Sequence, residues 1–373
     1  MTRFFLKFAG LCAAVILLCG QAAAEDQAYL EEFRAYTSAL DEGDLEAALR
    51  HGYAAWQSAE AELGDDKLTA ILAYNYGQLA IYSDPSKANI ALARAKELAG
   101  AGLADLPKTE LELYLAYTAF KLDEDSRRAG NALRDMLEQL IDNNAPPNRD
   151  TATMWYELAS ADMKNKRYRD ARESASRAEA MIAAVFPDNY RTRAAAIMFQ
   201  GVSMLAPMPR KERTIIQAIE KFQEAVLLFP PQESIENFDG ILAQIFAWQA
   251  AAKAVYLSND FSRRRLPEGT SEFDLFEGEH LSFEQCGGAW AEREPPNYPR
   301  RELFRGYVGA VLIGYNFADD TNLHDVRILA EVPERSFGDA VLEEVSNWKL
   351  TAPLPDDARC RKNKMTWVTF VID

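Results

Sequence analysis

Residues 155–178 read WYELASADMKNKRYRDARESASRA, and their spacing decides the class of fold. Trp155, Leu158, Ala159 and Asp162 recur at intervals of three and four, the polar turn Asn165-Lys166-Arg167 interrupts, and Tyr168, Ala171, Ala175 and Ala178 resume the period. A period near 3.6 broken by a short turn predicts two helices laid against each other. The small residues at 159, 171, 175 and 178 let them approach closely, because there Cβ is the largest obstruction.

The same grammar extends over 25–258, a stretch rich in Ala, Leu, Glu, Lys and Arg whose Pro and Gly fall at punctuation such as Asp84-Pro85, Ala145-Pro146-Pro147 and Phe186-Pro187. Weaker copies are Gly43-Asp44-Leu45 with Ala48 and Ala55, and Gly77 and Ala80 with Ala88 and Ala95. Gly201 and Met204 followed by Ala218, Phe222, Ala225 and Pro230 form another, and 235–257 predicts a last helix. The unit at Trp155 resembles the tetratricopeptide repeat, a helix-turn-helix of about 34 residues. It departs from that pattern at Ala159, where Gly is usual, and at Met181-Ile182, which replaces the terminal Pro. The resemblance implies an all-α solenoid whose concave face binds peptide or protein segments, the alternative being a nonrepeating helical bundle. Tyr53, Tyr74, Tyr76, Tyr114 and Tyr117 are either lining residues of that face or buried packing aromatics.

Ahead of the helices, Arg3 and Lys7 precede an apolar run from Phe8 to Leu18, and the segment ends in the small residues Ala22-Ala23-Ala24. This predicts a signal peptide over 1–24, since a membrane anchor needs about 20 apolar residues. The 373-residue chain has a formal charge of −16, and removing Arg3 and Lys7 deepens it. With 48% hydrophobic and 11% aromatic residues it is not a disordered polymer, and the basic triplet Arg263-Arg264-Arg265, followed by Glu268, Glu272 and Asp274, reads as a solvated or acid-paired turn rather than a nucleic-acid patch. Cleavage leaves Cys286 and Cys360, an even pair in an oxidising compartment, which predicts a disulfide.

Residues 259–295 lose periodicity and predict a linker or an irregular packed arm. Beyond them the period becomes two. Tyr307, Gly309, Val311, Ile313, Tyr315 and Phe317 share one face of a strand, a turn follows at 319–322, and Val326, Ile328 and Ala330 continue a second strand. Ser336 is placed to cap a helix carrying Phe337, Ala340, Val341, Val345 and Trp348 on one face, and 365–372 predicts a last strand. A small α+β module of order strand, strand, helix, strand is therefore expected over 296–373.

In this order, Pro296-Asn297-Tyr298-Pro299, Gly309-Ala310-Val311, Asp325-Val326-Arg327-Ile328, Phe337, Trp348-Lys349-Leu350 and Pro353 resemble the C-terminal domain of TonB. Thr321 and Glu302 depart from that family, which usually has Gly and Ala there. The resemblance implies a periplasmic protein whose exposed sheet edge accepts a strand from an envelope partner, such as a TonB-dependent receptor. Carried over, the edge is Lys364, Met365, Thr366, Trp367, Val368, Thr369, Phe370 and Val371, with Pro296, Tyr298 and Pro299 nearby. The alternative is an envelope assembly scaffold whose C-terminal module only packs or dimerises. No nucleophile elbow, phosphate loop or zinc motif is present, so neither an enzyme nor a cofactor is expected. No nucleic-acid partner and no membrane span after cleavage are expected either.

Overall fold

The computed structural model describes residues 27–206, 211–230, 239–259, 283–318 and 320–372. The signal segment 1–24, with Cys12 and Cys19, lies outside the described residues, as do Asp319 of the expected turn and most of 259–295. The chain divides into two compact units, Met1–Ala145 and Pro146–Asp373.

The first unit holds α1 (Ala28–Glu42), α2 (Leu45–Leu63), α3 (Lys67–Ala80), α4 (Pro85–Gly100), α5 (Lys108–Leu122) and α6 (Arg127–Asp142), and each from α2 onward packs on the helix before it. Polar side chains set most of their starts. Asp44 accepts from Ala47 N at 3.0 Å, Asp66 from Leu68 N at 2.8 Å and Asp84 from Lys87 N at 3.0 Å, each satisfying a donor with no partner inside the helix. Ala48, Ala55, Ala88 and Ala95 are fully buried. Gly77 is required by closeness, since a Cβ there would lie 2.6 Å from Leu92 Cγ.

The second unit opens with α7 (Arg149–Lys164), α8 (Tyr168–Val185), α9 (Tyr190–Leu205), α10 (Glu212–Val226) and α11 (Gly240–Ser258). The quoted stretch is the α7–α8 pair, and Trp155, Leu158, Ala159, Ala171, Ala175 and Ala178 are all fully buried, as their period requires. Asn148 and Thr151 form a reciprocal capping box at the start of α7. A Cβ at Gly201 would lie 2.6 Å from Phe222 Cε1, so α9 and α10 meet as α3 and α4 do. Helix α9 touches α7, α8, α10 and α11. The expected last helix begins at Gly240, where Asp239 accepts from Ile241 N at 2.8 Å.

Eleven helices thus precede a small C-terminal sheet region among the described residues. That region contains β1 (Trp290–Glu292), α12 (Arg300–Phe304), β2 (Gly309–Phe317), β3 (Leu323–Val332), α13 (Gly338–Val345), β4 (Lys349–Leu350), α14 (Ala358–Arg361) and β5 (Lys364–Phe370). The main sheet is antiparallel, in the order β3-β2-β5. The expected strand, strand, helix, strand series is present. It gains a β1–β4 ribbon and two one-turn helices, so residues 283–295 pack against the sheet region.

Two local expectations are corrected. Ser336 does not cap α13 through its side chain. Glu331 does so from the neighbouring strand, its Oε1 accepting the backbone N–H groups of Ser336, Phe337 (2.6 Å) and Gly338 (3.0 Å), because a carboxylate can reach several unpartnered donors at once. The alternation of Val326, Ile328 and Ala330 is broken as well. Leu312 pairs with Ala330 but Ile313 pairs with Ile328, so β3 bulges at Leu329 and turns Ala330 and Val332 to the opposite face.

The sheet is covered on both sides. Val311, Ile313, Tyr315 and Phe317 pack with Phe337, Val341, Val345 and Trp348. Ala310, Leu312, Ala330, Val332 and Met365 pack against Ala243, Ala247 and Ala251 of α11. Strand β2 is accordingly buried along nearly its whole length. Gly309 is tightly enclosed, as a Cβ there would lie 2.1 Å from Val332 O.

Candidate functional site

Strand β5 pairs with β2 from Lys364 to Phe370 and, among the described residues, has no strand on its other side. It is therefore an edge. Its side chains divide between the faces: Met365 and Trp367 turn toward α11, whereas Val368 and Phe370 enter the aromatic core. Trp367 lies 6.5 Å from Phe246 by ring centroids. Thr369 is exposed, and Val371 follows the strand and packs beside α10 and α11. Lys364 is only 8% exposed. Its Nζ donates to Arg359 O, and burial holds its pKa below the usual lysine range, opposed by the Asp357 carboxylate.

Beside this strand lies a cleft of about 220 Å³, lined by Trp367, Val368, Thr369 and Phe370 on one side and by Arg293, Pro295, Pro296 and Trp348 on the other. The wall is held by specific contacts. Trp348 Nε1 donates to Glu294 O at 3.0 Å, and the Arg293 guanidinium lies 4.8 Å from the Trp348 ring and 5.3 Å from the Trp290 ring. Arg293 also reaches Thr366 Oγ1 at 3.4 Å.

Of the expected neighbours, Pro296 lines the cleft and Tyr298 packs edge-on against Phe370 (5.5 Å) and Phe337 (5.7 Å) while donating to Tyr307 O. Pro299 precedes α12 and accepts from Leu303 N at 3.0 Å. Cys286 and Cys360 form the expected disulfide, closing a separation of 74 residues within the aromatic core. The structure thus brings Pro296 and Tyr298 to β5. Neither the period nor the resemblance points to Arg293, and Trp348 belongs to the expected helix face and to the Trp348-Lys349-Leu350 motif without being expected beside the edge strand. The one sequence signal for Arg293 is the cysteine pair, which obliges the chain after Cys286 to run close to the start of β5.

The tyrosines considered for a groove are packing residues. Tyr74, Tyr76, Tyr114 and Tyr117 are buried, and Tyr53 packs edge-on against Tyr76 at 5.2 Å. Gln78 Nε2 donates to Tyr74 OH at 2.8 Å and to Glu110 Oε1 at 3.0 Å. Burial, with Glu110 nearby, drives the Tyr74 phenol well above its usual range. Among the described residues there is no group of three or more His, Cys, Asp or Glu fit to hold a metal. No described helix is long and apolar enough to cross a membrane. No protein-family model and no curated protein matches the chain.

Proposed function

We propose that the chain is an exported, periplasmic, noncatalytic interaction protein, in which tetratricopeptide-like helix pairs carry a TonB-like C-terminal module that takes up a strand from an envelope partner. The observation that carries this reading is the edge position of β5 beside a cleft walled by Trp348, Arg293 and Pro296. An edge strand offers backbone donors and acceptors, and an extended peptide that adds to it gains affinity from main-chain hydrogen bonds. The helix-pair reading draws support from the close approaches at Gly77 and Gly201 and from the contacts of α9 with α7 and α11.

A second reading, a scaffold whose sheet region only packs, is favoured by the packing of α11 on the sheet. Photo-crosslinking in the periplasm from Thr369, in the cleft, and from Leu227, which is 73% exposed, separates the two. Strand addition predicts adducts with an outer-membrane receptor from Thr369 alone. Adducts only with a second copy of the chain, or none from Thr369, would favour the scaffold.

A further inference from the structure

Helix α12 and the chain just after it expose apolar and basic side chains together. Phe304 is 88% exposed and Leu303 44% exposed. Exposed arginines stand on either side, Arg300 and Arg301 before and Arg305 after. Arg301 is neutralised, its Nε lying 2.7 Å from Oε1 of the buried Glu302. Arg300 and Arg305 have no carboxylate within ion-pair distance among the described residues.

A further cation joins from the turn between α7 and α8. Lys166 Nζ donates to Tyr307 OH at 3.0 Å and lies 5.5 Å from the centre of its ring, and the Arg305 guanidinium lies 5.9 Å from the same ring. Lys166 likewise has no carboxylate partner among the described residues. Tyr307 therefore has two exposed cations beside one ring, placed so that a single anion could meet both. The Tyr307 phenol is held below its usual range, first by the Lys166 hydrogen bond. Backbone hydrogen bonds close the element: Gly306, at φ 65°, ends α12 and donates to Leu303 O at 3.1 Å, while Tyr307 N donates to Glu302 O at 3.0 Å.

We propose that Phe304, Leu303, Arg300, Arg305 and Lys166 form a docking surface for an anionic lipid bilayer, with the Phe304 ring entering the headgroup layer and the cations meeting lipid phosphates. The chemistry is that of interfacial anchors, in which an apolar side chain and flanking Lys or Arg act together. A bilayer fits better than a protein partner. The apolar part is one ring and part of a leucine on a protruding single turn, far short of the roughly 800 Å² per side of a stable protein interface, whereas a bilayer needs no complementary pocket. The formal charge of −16 opposes such docking at low salt. At about 0.1 M salt, carboxylates more than about 10 Å away are screened.

The test is sedimentation of the full mature chain with vesicles of about one-third phosphatidylglycerol in phosphatidylcholine, at about 0.1 M salt. Binding is expected to these and not to pure phosphatidylcholine vesicles. Phe304→Ser and the double change Arg300→Glu with Arg305→Glu are each expected to weaken it by about tenfold or more. These side chains are exposed, so the variants fold, and circular dichroism confirms it; Leu227→Ser serves as an exposed apolar control. Absence of binding, equal binding to neutral vesicles, or an equal loss in Leu227→Ser overturns the proposal. Displacement of the chain from vesicles by soluble polyglutamate, with Phe304→Ser without effect, would assign the surface to acidic proteins and also overturn it.

Discussion

The two faces of the C-terminal sheet are buried by opposite means. On one, large rings fill the space: Phe337 stacks on Phe370 at 4.4 Å, Tyr298 meets both edge-on, and Trp290 packs against Trp348 at 5.5 Å around the Cys286–Cys360 disulfide. On the other, Ala243, Ala247 and Ala251 of α11 press against Ala310 and Ala330, with Leu312, Val332 and Met365 around them. An aromatic side chain buries roughly 150–250 Å² and, at about 25 cal/mol per Å², stabilises through the area withdrawn from water. Alanines withdraw little area. Their contribution is proximity, which brings a helix backbone into dispersion contact with the strands. The first face should therefore suffer from deletion and the second from addition.

The largest expected effect is on the aromatic face. Phe337→Ala should lower unfolding free energy by about 3–5 kcal/mol in chemical denaturation. A loss below about 1 kcal/mol would mean that the rings are not the main source of stability there. On the alanine face, Ala247→Leu should cost about 1–3 kcal/mol, because the added atoms must separate α11 from the sheet. If that variant were instead more stable, the face would have room to spare and the contrast would fail.

The smallest effect is confined to alkaline solution. Burial pushes the Tyr315 phenol up to about 12 from an ordinary value of 10.0, slightly opposed by Arg293. The folded chain therefore holds this proton after the unfolded chain has lost it. The resulting contribution is complete below pH 10 and is lost as the pH rises toward about 12. By pH 11 the loss amounts to about 1 kcal/mol, so Tyr315→Phe should lose less stability between pH 9 and 11 than the parent. Identical pH profiles would show that this ring is not withdrawn from water.

The same contrast explains what could be read from the sequence. The aromatic face was legible because Val311, Ile313, Tyr315 and Phe317 alternate, and because Phe337, Val341, Val345 and Trp348 recur at helical spacing. The alanine face was not, since Ala243, Ala247 and Ala251 at intervals of four look like any helix of this chain. A trace was nonetheless present. The run GAVLIG at 309–314 is apolar at odd and even positions alike, as a strand covered on both sides requires, and α11 is apolar almost all round. Helix existence and pairing were visible in the local period. The edge position of β5 followed from the expected module, but the cleft wall at Arg293 did not, because it depends on where 283–295 runs. The bulge at Leu329 was equally invisible, since no glycine or proline marks it.

Glu331 gives that bulge a meaning beyond geometry. Its carboxylate reaches the start of α13 only when β3 is paired as observed, two residues beyond the bulge. A slip of β3 by a single residue would turn Glu331 to the α11 side, leaving a charge among alanines and the first turn of α13 without its acceptor. Misregistered pairing is thereby made costly twice over by one side chain, which ties the alignment of the hairpin to the helix that follows it.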